Sequence, residues 1–98
     1  MAIQNFRTLD LAITFYRECK QVQLPHALKD QLIRAASSIP LNLAEGSAKP
    51  TRKDRLRYYS TAFGSLREVQ TIIQMEQLKQ LEARADHLAA CLHKLVHQ

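Results

Sequence analysis

The sequence has no tryptophan and few of the residues that form turns. It contains two glycines and three prolines among 98 residues. Because tight turns depend largely on these two residue types, little room is left for a fold with many short strands. Alanine, leucine, glutamine, lysine and arginine are abundant instead, which is typical of an all-helical protein. The length predicts one domain, residues 1–98, with a single small core.

Disulfide-rich and membrane-spanning classes are also disfavoured. Cys19 and Cys91 have no metal-site spacing, so we expect them to be reduced, packed thiols. The N-terminal segment is interrupted by Arg7 and Asp10, and it has neither the apolar core of a signal peptide nor the length of a membrane span. We therefore expect a cytoplasmic protein.

Apolar residues recur with the helical period of 3.6 in four segments. They predict helices at about residues 5–21, 25–46, 51–78 and 82–96. The connections between them are short, and short links between long helices favour neighbours that run in opposite directions. The sequence therefore predicts an all-α, antiparallel up-down-up-down four-helix bundle.

Each segment carries an apolar stripe. The first helix has a main stripe that a second set of residues widens: Phe6, Leu9, Ile13 and Tyr16, then Ala12, Phe15, Cys19 and Val22. The other three stripes are Leu24, Leu28, Leu32, Ala35, Ile39 and Leu43; Leu56, Tyr59, Ala62, Phe63, Leu66, Val69 and Ile73; and Leu81, Ala85, Leu88, Leu92 and Leu95. Helix one has a wide apolar arc, and the second half of helix two is apolar nearly all round. Together they have more apolar surface than a lone bundle can bury. We therefore expect a homo-oligomer.

Pro40 lies inside helix two. It has no amide hydrogen to donate and leaves the carbonyl of Ala36 free, so we expect a kink with both halves packed. Glu45 lies near the negative end of the helix dipole, which predicts a positive partner for its carboxylate. The candidates are Arg34, Arg67 or a basic residue of a neighbouring subunit.

The two glycines have different predicted roles. Gly46 is placed to end helix two in a left-handed conformation. Gly64 lies inside helix three, where glycine costs about 1 kcal/mol relative to alanine. Small residues at 35–38 and 62–65 are predicted to meet, and a close backbone approach would then explain Gly64. A local kink at Gly64 is the alternative.

Positive charge is concentrated in one segment, residues 49–57. We call its five cations the basic cluster: Lys49, Arg52, Lys53, Arg55 and Arg57. Thr51 and Asp54 fit a capping box, which places the cluster at the start of helix three. Cations are mildly unfavourable there, and a bound polyphosphate would relieve the repulsion. The cluster therefore predicts contact with nucleic acid, and a solvated face is the alternative.

Two tyrosines adjoin the basic cluster. Tyr59 falls on the apolar stripe and is predicted to pack in the core. Tyr58 is a candidate for stacking on a base, although a role in an interface is favoured.

No motif for catalysis, a cofactor or a metal is present. The sequence shows no nucleophile–base pair, phosphate-binding loop or paired Glu-x-x-His motif, so we expect a non-enzymatic protein without a cofactor. His93 and His97 are four residues apart and share a helix face, but no convincing third ligand accompanies them. A solvated C-terminal turn is the favoured interpretation.

Two ordered motifs carry a family resemblance. Residues 31–46, QLIRAASSIPLNLAEG, and residues 62–71, AFGSLREVQT, resemble the pattern R-A-x-x-S-I-x-x-N-I-A-E-G followed by G-S-L-x-E. That pattern is typical of a bacterial four-helix-bundle family, whose members are encoded within intervening sequences of 23S ribosomal RNA genes. We expect structural roles for six residues of these segments: Arg34, Pro40, Asn42, Glu45, Gly46 and Gly64.

The resemblance also implies an assembly and a class of partner, and with it we expect RNA more than DNA at the basic cluster. Similar proteins form cyclic homopentamers, and the family pattern implies no catalytic residues. Distant relatives are accessory proteins of diversity-generating retroelements, in which a basic pentameric barrel binds nucleic acid and a reverse transcriptase. The alternative function is therefore an interaction scaffold for an acidic protein partner, such as a polymerase or reverse transcriptase.

Overall fold

The computed structural model describes residues 3–97, with side chains described from residue 7 onward. It contains α1 (Ile3–Cys19), α2 (His26–Ser47), α3 (Arg52–Glu76) and α4 (Lys79–Val96), and this part of the chain has no strand. The predicted all-α four-helix bundle is confirmed. Phe6, which belongs to the predicted stripe of the first helix, lies outside the described side chains.

Each helix packs against two others. α1 contacts α2 and α4, and α3 contacts the same two helices. Near one end of the α2–α3 pair, the Gln31 side chain donates a hydrogen bond to Glu68 at 3.4 Å. Between α3 and α4, the rings of Phe63 and His93 are 6.3 Å apart. These contacts are compatible with the antiparallel order, which stays a prediction.

The helix ends follow local signals. α2 begins directly after Pro25, where the fixed backbone angle of proline suits a helix start. At the start of α3, the hydroxyl of Thr51 accepts a hydrogen bond from the Asp54 amide at 3.2 Å, which confirms Thr51 as the cap of this helix. The reciprocal bond of the predicted capping box stays a prediction. α3 ends at Glu76, before the predicted end, because Gln77 adopts a left-handed conformation with φ of 55°. α4 then begins at Lys79, earlier than predicted.

The buried side chains form one connected core. All five predicted stripe residues of α4 are buried, which confirms that stripe. In α1 and just after it, the core-facing set is the one predicted only to widen the stripe: Ala12, Phe15, Cys19 and, beyond the end of the helix, Val22. Leu9, Ile13 and Tyr16, which were predicted to form the main stripe, are only half-buried. Both sets are apolar, so the choice of face depends on where α2 and α4 lie and not on α1 alone.

The Cys19 side chain lies deep in this core. Its side chain is fully buried, and Cys91 is half-buried; both are free thiols. Burial raises the pKa of the Cys19 thiol to about 12, the adjacent Glu18 carboxylate adds to the rise, and Lys29 opposes it. A thiol of this kind packs as a small apolar side chain.

α2 runs through Pro40 without interruption. The kink at that residue therefore stays a prediction. Two turns are tied together around it, because the Asn42 side-chain amide donates to the carbonyl of Ser38 at 2.8 Å and to its hydroxyl at 3.0 Å. The hydroxyl of Ser65 on α3 also donates to the Ser38 hydroxyl, at 2.8 Å. Ser38 thus links Asn42 to α3, and the predicted meeting of the small residues is confirmed at Ser38 and Ser65.

The prediction of a left-handed cap at Gly46 is wrong. Gly46 is buried inside α2, neither glycine has a positive φ, and the right-handed residue Ala48 follows the end of the helix. A Cβ atom on Gly46 would lie 2.8 Å from Cβ of Tyr58 and 2.9 Å from Cε1 of Tyr59. Glycine is therefore needed here for space, because α3 passes too close for any side chain.

The close approach predicted at Gly64 is also wrong. This residue is exposed, and a Cβ atom added to it would meet no atom within 4 Å. The neighbouring Ser65 occupies the contact with α2 instead. Successive helix residues point about 100° apart, so only one of the two can face α2.

Candidate nucleic-acid interface

Arg55 holds the connection between α2 and α3. Its Nη1 atom donates to the carbonyl oxygens of Lys49 and Pro50, each at 3.2 Å, and the side chain is half-buried. These carbonyls belong to the short turn that precedes the Thr51 cap. Arg55 therefore has a structural role in the basic cluster, since it satisfies backbone acceptors that would otherwise depend on water.

Lys49 is also engaged within the protein. Its Nζ atom lies 3.4 Å from the Glu45 carboxylate and 5.1 Å from the centre of the Tyr58 ring. The hydrogen bond to Glu45, followed by the interaction with Tyr58, raises the pKa of Lys49. Lys49 thus contacts the end of α2, and Arg55 contacts the turn that follows it.

The positive partner predicted for Glu45 exists, but both of the named candidates within the chain are wrong. Lys49 takes the place of Arg34 and Arg67. The backbone stays nearly helical past the end of α2, where the Lys49 amide donates to the carbonyl of Gly46 at 3.0 Å. That geometry keeps residues four apart on one side, so Glu45 and Lys49 meet. Arg34 is exposed on α2.

The other three cations line a shallow, widely open depression on the surface of α3. Arg52, Lys53 and Arg57 are exposed and surround a hollow of about 610 Å³. Leu56 and Ser60 complete its lining, and we call these five residues the basic groove. Leu56 was predicted to lie in the core, but it is only half-buried, because it sits at the side of the α3 stripe where the groove begins.

Tyr58 and Tyr59 lie in different surroundings. Tyr59 is buried as predicted; burial raises the pKa of its hydroxyl, and the nearby Arg55 charge lowers it in part. Tyr58 is half-buried, lies against Gly46 and has Lys49 over its ring. One face of the Tyr58 ring is therefore already covered by a cation.

A row of flat side chains, which the sequence did not predict, lies between α3 and α4. The guanidinium carbon of Arg67 is 4.7 Å from the centre of the Phe63 ring, and Phe63 meets His93 edge-on at 6.3 Å. His93 stacks on His97, with ring centres 4.1 Å apart and an interplanar angle of 20°. We call these four residues the aromatic row. The sequence contains two pairs at i, i+4 spacing, Phe63–Arg67 and His93–His97, which could have predicted the row. Phe63 also fitted the core stripe and was assigned to it instead.

The two histidine rings thus stack on each other at the C-terminal end of α4, and His93 also contacts Phe63. Across the described residues, no three histidine, cysteine, aspartate or glutamate side chains are grouped so that they could hold a metal ion. His93 and His97 are exposed, in agreement with their predicted position at a solvated turn.

A second hollow, of about 850 Å³, lies between α1 and α4. Its lining includes two cations, Arg7 and Lys94, and one anion, Asp10, whereas the charged side chains that line the basic groove are all positive. Cys91 contributes a half-buried thiol. Within residues 3–97, no helix combines the length and the apolar character that crossing a membrane requires.

Comparison with known sequences identifies a family. The sequence model of a family described as 23S rRNA-intervening sequence protein matches residues 5–94. This range includes all four helices except the ends of α1 and α4, and it contains the basic groove and most of the aromatic row. Neither a curated protein nor a solved structure shows significant similarity to the chain.

Proposed function

This chain belongs to the 23S rRNA-intervening sequence protein family, and from that membership and its basic groove we propose that it binds RNA. It does so as a cytoplasmic, non-enzymatic homo-oligomer. The observation that carries the proposal is the exposure of Arg52, Lys53 and Arg57 around one hollow on α3. Three cations on one helical face present the charge that a phosphate backbone attracts, whatever the base sequence.

The division within the basic cluster makes this proposal more specific. Lys49 and Arg55 contact Glu45 and the turn carbonyls, so their loss would alter the connection between α2 and α3. We therefore assign phosphate contact to the basic groove and a supporting role to Lys49 and Arg55. A single groove with three cations binds weakly, and repetition of the groove in an oligomer would raise the avidity without new kinds of contact.

The test is a charge reversal with a matched control. Arg52→Glu combined with Arg57→Glu changes the basic groove, and Arg17→Glu combined with Lys79→Glu makes the same change in net charge at exposed sites on α1 and α4. Fluorescence anisotropy with a labelled single-stranded RNA should show binding lost in the first variant and retained in the second. Equal loss in both variants would show a general charge effect and contradict the groove assignment.

The alternative is a scaffold that binds an acidic protein. It is favoured by one feature, since Leu56 places an apolar side chain among the cations of the groove. Such a mixture also suits an acidic peptide or protein surface. A wild-type protein that binds no RNA even at low salt would exclude the RNA proposal and leave this alternative.

Self-association is the second part of the proposal. Leu41 on α2 is 68% exposed, and Ala44 next along the same side is also exposed. Ile33 and Pro40 on α2, and Ile13 on α1, are half-buried. A second copy of the chain would cover this apolar surface, and the family resemblance implies a pentamer.

Leu41→Glu should break the oligomer, because it places a charge at the most exposed apolar position of this surface. Met75→Glu is the control, since Met75 is the other large apolar side chain that stands out from the described surface, at 61% exposure. Light scattering at micromolar concentration should show a lower mass for the Leu41 variant only. A wild-type protein with the mass of a monomer would refute the proposal.

A further inference from the structure

The aromatic row continues the face of α3 that carries the basic groove. Arg52, Leu56 and Ser60 follow one another at intervals of four residues, and Phe63 and Arg67 come three and seven residues after Ser60. Residues at these intervals share one side of a helix. The distance along the axis from Arg52 to Arg67 is roughly 22 Å, at about 1.5 Å per residue. Cations therefore lead directly into flat side chains on one continuous surface.

Hydrogen bonds fix the two ends of the row. Nη1 of Arg67 donates to the Gln70 side-chain oxygen at 2.7 Å, and the Gln70 amide in turn lies 3.4 Å from the Asp86 carboxylate. Nδ1 of His97 lies 3.1 Å from the carbonyl oxygen of His93. Flat groups that are held in this way lose little conformational freedom when another flat group stacks on them.

Core packing explains only one member of the row. Phe63 packs partly against the core, whereas Arg67, His93 and His97 are exposed. An exposed arginine over a ring, next to two stacked imidazoles, gives a helical bundle little stability. The same groups match the chemistry of base recognition, because unpaired bases stack on histidine and phenylalanine rings and on guanidinium planes.

We propose that the aromatic row is a stacking site for the unpaired bases of a single-stranded nucleic acid whose phosphates lie in the basic groove. This inference rests on the proposed function. Bases stack on the outer faces of Arg67 and His97, and the cations of the groove contact the backbone. Every base has a flat face, so the binding tolerates many sequences. A duplex binds less well, because its bases are already stacked on one another.

The test separates stacking from charge. Arg67→Lys keeps the positive charge but removes the flat guanidinium, and His97→Ala removes the imidazole from an exposed position at the end of α4. Arg17→Lys with His26→Ala is the matched control, because both residues are exposed and lie outside the row. Fluorescence anisotropy is measured with labelled single-stranded RNA, with an RNA duplex of the same length, and with inorganic polyphosphate as a competitor that has phosphates but no bases.

The double variant Arg67→Lys and His97→Ala should bind single-stranded RNA on the order of tenfold more weakly. Its affinity for polyphosphate and for the duplex should stay unchanged, and the control variant should match the wild type. Circular dichroism confirms that each variant is folded. Phe63→Leu, which keeps an apolar side chain against the core, should also weaken the binding of single-stranded RNA.

Three results would overturn the inference. In the first, the Arg67→Lys and His97→Ala variant binds single-stranded RNA as well as the wild type does, while the Arg52→Glu and Arg57→Glu variant loses binding. This result excludes the stacking site and leaves the proposed function intact. Equal weakening for RNA and polyphosphate shows a charge effect without stacking. Absence of any RNA binding by the wild type removes both the stacking site and the proposed function.

Discussion

The two sides of α3 are built in different ways. Toward α2, the helix packs so closely that Gly46 has no space for a Cβ atom, and Ser65 reaches Ser38 with a hydrogen bond of 2.8 Å. On the side of the basic groove, Leu56 and Phe63 are only half-buried and cations surround an open hollow. The same helix therefore combines one surface determined by packing with another that packing does not require.

This difference separates structural residues from candidate functional ones. The motif residues Ser38, Asn42 and Gly46 all contribute to the packed side, through hydrogen bonds or through the lack of a side chain. Exposed cations add little to folding free energy, so their concentration beside a row of flat side chains calls for another explanation. Binding of a polyanion with unpaired bases supplies one.

The largest expected effect on stability comes from the packed side. Gly46→Ala should destabilise the protein by about 1–3 kcal/mol, because the new Cβ atom meets Cβ of Tyr58, which cannot move without shifting α3. Thermal unfolding followed by circular dichroism measures this change. A shift of roughly 4–8 °C in Tm is expected for each kcal/mol in a domain of this size.

Gly64→Ala gives a smaller effect of the opposite sign. The space around this position is open, so alanine adds helix propensity without a clash and should stabilise the protein by about 0.5–1 kcal/mol. The same unfolding experiment serves as its measurement and as the control for Gly46. Destabilisation by alanine at both positions would show that Gly64 also faces a neighbour, either within the bundle or in another subunit.

Part of the fold could be predicted because helical periodicity reports burial wherever one face of a helix is clearly apolar. The α4 stripe illustrates this, since all five of its predicted residues are buried. In α1 two apolar sets compete, and only the positions of α2 and α4 select the set that contains Phe15 and Cys19. Periodicity within one helix contains no information about that choice.

The candidate site was predictable in its charge and not in its geometry. The position of the basic cluster follows from the sequence, but its division does not, because the bonds of Arg55 to the carbonyls of Lys49 and Pro50 depend on the path of the turn. The aromatic row was missed since Phe63 fits an apolar stripe and its partner His93 is on another helix. Local sequence cannot predict a contact between residues that are thirty positions apart.

The salt dependence of RNA binding tests the central claim most directly. If Arg52, Lys53 and Arg57 contact phosphates, a plot of log K against log salt concentration for single-stranded RNA should have a slope of about −2 or steeper, since each contact contributes about −0.7. Anisotropy titrations of the wild-type protein at several salt concentrations give this slope. A slope near zero, or no binding at the lowest salt concentration, would contradict the account.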